Sequence, residues 1–140
     1  MTQEKKDLLL ADLCARLPYG VKVRGNYSYS DGDKIVDDIQ TKVLDIYDID
    51  WFINNIEIKP YLFPLSSMTL EQRCKVRDLL PDKCEISFTN SEISFYGEDY
   101  HKIKLEQFEK LFHLFNMWHL DYRGLIPMGL AIDATNLNIY

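Results

Sequence analysis

The chain has 140 residues and a mass of 16.5 kDa, the length of one ordinary domain. Its 46% hydrophobic and 27% charged residues are globular values that exclude wholesale disorder. A net charge of −6 with a pI near 5.0 argues against broad binding to a phosphate backbone.

The first predicted element is a helix over 2–17. Leu9, Leu10, Leu13, Cys14 and Leu17 recur at helical spacing, Thr2 can cap, and Pro18 with Gly20 stops it. From Gly20 onward the pattern becomes β: Val21 and Val23 alternate with Lys22 and Arg24, Ser30-Asp31-Gly32-Asp33 is a turn signal, and short strands are expected over 34–39 and 41–47. Ile49, Phe52, Ile53 and Ile56 then fall at helical spacing behind Asp48 as N-cap, with a strand over 51–58 as the competing reading. Pro60 and Pro64 keep 59–65 extended.

Thr69-Leu70-Glu71-Gln72 reads as a capping box that opens a helix running to Leu80, before Pro81. A hairpin over 85–89 and 92–96 is expected, turning at Asn90-Ser91. The last long helix spans 105–122, with Phe108, Leu111, Phe112, Phe115 and Trp118 on its apolar stripe, Gly124 as its left-handed C-cap and Arg123 beside the terminal carbonyls. The tail from Leu125 is apolar enough to pack back. The expectation is a single α+β domain over 1–140: N-terminal helix, small antiparallel β segment, middle helix, β-hairpin, long C-terminal amphipathic helix.

Cys14, Cys74 and Cys84 form an odd set without C-x-x-C spacing, so neither a disulfide framework nor a zinc knuckle is indicated, and reduced cytoplasmic thiols are the simple reading. Cys14 falls on the apolar stripe of the first helix, and Cys84, beside Lys83, is the thiol best placed for a thiolate, with a buried, inert thiol as the favoured reading because free Cys mostly behaves as a small hydrophobe. The apolar run at 8–11 stops at Asp12, too short for a secretory leader, and no stretch approaches the ~18 apolar residues of a membrane span. Asp31-Gly32-Asp33 lacks the downstream ligands of a calcium loop, since Lys42 stands where the bidentate Glu belongs. No nucleophile elbow and no phosphate-binding Gly loop occurs. No catalytic residue, cofactor or metal is therefore assigned, and an enzyme is not expected. A competing site would use His101, His119, Asp121 and Arg123, if the fold gathered them into a polar pocket.

The charge itself is uneven. Between Ser30 and Glu57 eight acidic residues stand against Lys34 and Lys42, which accounts for the whole net charge. Asp31, Asp33, Asp37, Asp38, Asp45, Asp48 and Asp50, with Tyr27 and Tyr29, are thus the candidate contact residues for a basic protein surface. The competing structural reading is a charged strand edge that resists aggregation.

Three stretches, 8–23 (LLLADLCARLPYGVKV), 58–69 (IKPYLFPLSSMT) and 121–134 (DYRGLIPMGLAIDA), resemble a family of short proteins of gut Bacteroidales bacteria and of their phages and mobile elements. This sequence departs from that pattern at Phe63, where many relatives carry a basic residue, and at Pro127-Met128, where a charged pair follows DYRGLI. The resemblance implies a small accessory protein in the cytoplasm of a bacterial host cell, with no reaction and so no catalytic residue to carry over. The expected function is non-enzymatic binding of a host or phage protein through the acidic face, without direct nucleic-acid or membrane contact. A self-assembling structural subunit is the third reading. As sequence, each of the three strings also reads as junction chemistry, a helix stop, an extended stop before a cap, and a helix end.

Overall fold

The computed structural model describes residues 1–89 and 92–140, so the turn expected at Asn90-Ser91 lies outside the described residues. In chain order come helix α1 (Gln3–Arg16), strands β1 (Lys22–Asn26), β2 (Tyr29–Asp31), β3 (Lys34–Val36) and β4 (Ile39–Val43), helix α2 (Ile46–Ile53), strand β5 (Ile58–Leu62), helix α3 (Leu70–Asp78), strands β6 (Glu85–Phe88) and β7 (Ile93–Tyr96), helix α4 (Leu105–Met117) and strand β8 (Ile132–Asp133). The class is α+β. No helix among the described residues is long and apolar enough to cross a membrane.

Local chemistry explains the helix starts. The Thr2 hydroxyl accepts from the Lys5 N–H at the head of α1. Ahead of α3, the Thr69 hydroxyl accepts from the Gln72 N–H at 3.2 Å while the Gln72 side chain accepts from the Thr69 N–H at 3.0 Å, the expected capping box. That helix ends at Asp78 rather than Leu80, because the Leu79 and Leu80 N–H groups tighten onto Val76 and Arg77 carbonyls.

The main sheet has the order β4-β1-β5-β8, antiparallel except for β8, which runs parallel to β5. One face of it, carrying Val23, Ile58 and Leu62, packs beneath Leu9 and Leu13 of α1 and Ile49 and Phe52 of α2. A second apolar cluster joins Val76 of α3 to Leu111 and Phe115 of α4, roofed by Phe88 and Phe95 of the β6–β7 hairpin. The tail does pack back, and its last residue enters the sheet. The Tyr140 hydroxyl accepts from the Lys22 N–H at 2.9 Å and donates to the Tyr61 carbonyl at 2.8 Å, so a phenol stands in for a missing rung between β1 and β5. Tyr140→Phe should destabilise the fold by about 1–3 kcal/mol, the cost of stranding a backbone donor and acceptor, as read from urea unfolding.

The last helix departs from expectation. It stops at Met117, not at Tyr122, and His119 takes the left-handed position at the helix end, at φ 55°; Gly124 is left-handed as expected, at φ 70°, but lies in the loop beyond and does not cap the helix. The His119 N–H bonds to the Asn116 carbonyl and the Leu120 N–H to the Phe115 carbonyl, the paired bonds of a Schellman cap. The physical reason lies in the next bonds. The Phe63 N–H reaches the His119 carbonyl at 2.9 Å and the Asp121 N–H reaches the Phe63 carbonyl at 2.8 Å, so the chain leaves the helix to pair beside β5.

Candidate functional site

The site expected from charge begins with Asp45. Its carboxylate accepts from the Tyr47 and Asp48 N–H groups at 2.9 and 3.1 Å, and Asp48 returns a bond from the Asp45 N–H at 2.9 Å. Asp45, not Asp48, is therefore the N-cap of α2, and the strand expected over 41–47 gives way to helix at Ile46. Lys42 lies against both carboxylates, at 2.7 Å from Asp45 and 3.3 Å from Asp48. The hydrogen bond to Asp45 raises the Lys42 ammonium above its ordinary value, and its reciprocal holds Asp45 below the usual carboxylate range.

Asp48 is 1% exposed and also accepts from the Tyr27 hydroxyl. Burial, and then that bond, pushes the Tyr27 phenol well above its usual value. The Tyr27 ring lies on Gly25, where a Cβ would collide with it, and meets the Trp51 ring edge-on at 5.9 Å. Tyr27 and Asp48 are thus braces that weld α2 to the end of β1, and Asp48 does not offer its carboxylate to a partner. Of the two candidate contact tyrosines, Tyr27 turns inward between β1 and β2, and Tyr29 is exposed on β2.

The remaining acids lie outside. Asp31, Asp33, Asp37 and Asp50 are exposed, and Asp38 and Asp45 are half-buried. Asp37 accepts from the Ser28 hydroxyl at 2.8 Å and Asp38 from Gln40 at 2.6 Å, both tying the base of the β2–β3 hairpin. Sequence reasoning missed what accompanies them. Eight of the eighteen exposed large hydrophobic side chains among the described residues fall between Tyr29 and Ile53. Helix α2 buries only Asp48, Ile49 and Phe52, while Ile46, Tyr47, Asp50, Trp51 and Ile53 form a continuous outward arc. The signal was present as a helix apolar on both sides, a pattern that belongs to a covered helix.

The alternative site does not assemble as one pocket. His119, Asp121 and Arg123 lie in one loop after α4, and His101 sits on an exposed turn at Tyr100–Lys102. His119 lies past the end of α4; it stacks on Tyr140 at 4.1 Å, and burial pushes its imidazole down to about 4. Asp121 accepts from the Leu125 and Ile126 N–H groups at 2.8 and 2.7 Å, and burial raises its carboxyl. Arg123 lies 3.2 Å from Asp12, which pairs with Arg16 at 2.7 Å, both wholly buried. The three sequence strings meet at this cluster: Asp12 and Arg16 from the first, Phe63 from the second, Asp121 and Arg123 from the third.

Of the thiols, Cys14 departs from its expected place on the apolar face, whereas Cys84 follows the buried, inert reading. Cys14 is exposed, and Cys84 is buried, its thiol pushed up by that burial and by Asp99 and Glu85, which leaves it a poor thiolate. A groove of about 470 Å³ between α3 and β6 is lined by Arg73, Arg77, Cys74 and Cys84 together with Asp82 and Glu85. Among the described residues no group of three or more His, Cys, Asp or Glu side chains is arranged to hold a metal ion. No protein-family model matches the chain, and neither a curated protein nor a solved structure does.

Proposed function

We propose that this chain is a non-enzymatic accessory protein of a phage or mobile element that acts by binding a host or phage protein with a basic surface. The observation that carries the reading is the overlap of charge and exposed apolar area. The stretch 29–53 holds most of the acidic excess and, among the described residues, nearly half of the exposed large hydrophobic side chains. Acid steers a basic partner toward the surface, and aromatic and aliphatic side chains supply the area that holds it there. Tyr47 and Trp51 on α2 are of the type that anchors such interfaces.

The test is capture from host lysate at low and then moderate salt, with Asp31, Asp33, Asp37 and Asp38 all changed to Lys as control. A partner held by the native chain, weakened by salt and lost by at least about tenfold in the reversal is the expected result. A partner indifferent to the reversal overturns the reading. A concentration-dependent mass of the chain alone would favour self-assembly instead.

A further inference from the structure

Strand β4 is the outer strand of the main sheet, and its hydrogen-bonding pattern says which of its backbone groups are used. The Leu44 N–H donates to the Val21 carbonyl and the Tyr27 N–H to the Asp38 carbonyl, both at 2.8 Å. With the register Lys22↔Val43 to Asn26↔Ile39, the even-numbered residues from 38 to 44 therefore point their N–H and C=O groups into β1. Ile39, Thr41 and Val43 point theirs outward, away from the sheet. Their side chains lie on the face opposite the core, where Ile39 is 55% and Val43 50% exposed.

Sheet edges are normally blunted by charge, proline or a bulge. This one is Ile-Gln-Thr-Lys-Val, and its single charge, Lys42, is turned inward onto Asp45 and Asp48. The acidic residues expected to guard the edge flank its two ends instead: Asp37 and Asp38 before it, Asp45 after it. The outward-pointing residues of the edge itself are uncharged: Ile39, Thr41 and Val43.

We infer that β4 receives an extended segment of the basic partner as an added strand, a reading that rests on the protein-binding function proposed above. Main-chain hydrogen bonds to Ile39, Thr41 and Val43 supply affinity. Alternate β-branched residues of the incoming strand cover Ile39 and Val43, and cationic residues at its ends meet the flanking carboxylates. A second copy of this chain is the wrong occupant, because edge-to-edge pairing brings two segments of the same strong negative charge together.

The test uses the full chain and a short blocked peptide of alternating lysine and valine, with two controls: glutamate in place of lysine, and a proline at the centre. Binding by the first peptide alone, with new amide-exchange protection at Ile39, Thr41 and Val43, is the expected result. Thr41→Pro removes an outward N–H without touching the β1 ladder, and edge strands accept proline. It should weaken peptide binding at least about tenfold. Should that variant fail to fold, the exchange pattern of the native chain decides the question. Strand addition is overturned by no binding at millimolar peptide, by equal binding of the proline peptide, or by binding without protection of the three amides. Protection that appears with chain concentration and no peptide overturns it in favour of a homodimer. If the four-Asp reversal abolishes partner capture while Thr41→Pro does not, strand addition fails and acidic docking stands. If the reversal leaves capture intact, the underlying reading fails.

Discussion

Arg16→Met should destabilise the fold by about 3–5 kcal/mol, and Asp12→Leu by a comparable amount, because each deprives the other's buried charge of its nearest partner. The two side chains are wholly buried, one turn apart on α1, with Nε 2.7 Å from Oδ2. Arg16 also donates to the Leu120 carbonyl at 2.7 Å, which ties α1 to the chain leaving α4. Arg16 and Arg123 both lie against the Tyr122 ring, with their guanidinium carbons 5.2 and 5.1 Å from its centroid. These contacts lie where the sheet-and-α1 core meets the α3–α4 core, so the ion pair fixes how one packs on the other. Yet desolvating two charges offsets most of their attraction, and Arg16 Nη1 has no hydrogen-bond partner to add to it. The double variant Asp12→Leu/Arg16→Met should therefore recover much of the loss. A double-mutant cycle from urea unfolding measures it, with a coupling energy of about 2 kcal/mol or more expected. Strictly additive losses would mean that the pair is not what joins the two cores. Arg123→Met should cost far less, because that side chain is 30% exposed and only the third member of the cluster.

How much of this was legible beforehand follows the range of the forces. Helices α1 and α3 start where Thr2 and Thr69 stand, because capping involves residues only three apart. The alternation at 85–96 and the backward fold of the tail were readable for the same reason: each depends on a pattern within a few residues. Helix α2 slid by one turn because Asp45 and Asp48 are equally good caps in isolation. What decides between them is Tyr27, eighteen positions upstream of Asp45, which claims Asp48. The end of α4 was misjudged because Phe63 pulls the chain out of the helix from more than fifty residues away, and a histidine then accepts a conformation usually left to glycine. The acidic segment was correctly seen as dense but not sorted. Charge counting cannot separate Asp48, which braces, from Asp31 and Asp33 at the exposed hairpin turn. The Tyr140 hydroxyl in the β1–β5 ladder carries no local signature at all.

The same misjudged helix end yields the clearest pH dependence. His119 is held half-buried between the protein interior and the Tyr140 ring, and desolvation, with the Arg16 charge behind it, pushes its imidazole down to about 4 from 6.5. A folded-state value below the unfolded one means that the unfolded chain takes up the proton first as pH falls. The associated stability is fully present above pH 6.5 and is lost progressively down to about pH 4. Asp121 acts with the opposite sign: its raised value makes the folded state gain relative stability as pH falls through the window just above 3.8. Comparing the native chain with His119→Asn and His119→Phe removes that common contribution. Asn tolerates the left-handed backbone and Phe keeps a ring against Tyr140, so the two variants pay different structural costs that do not depend on pH. Both should give urea-unfolding free energies that fall less steeply than those of the native chain between pH 6.5 and 4, and the difference curve should follow the window of His119. A native-like slope in both variants would move the acid sensitivity away from His119 and onto the carboxylates.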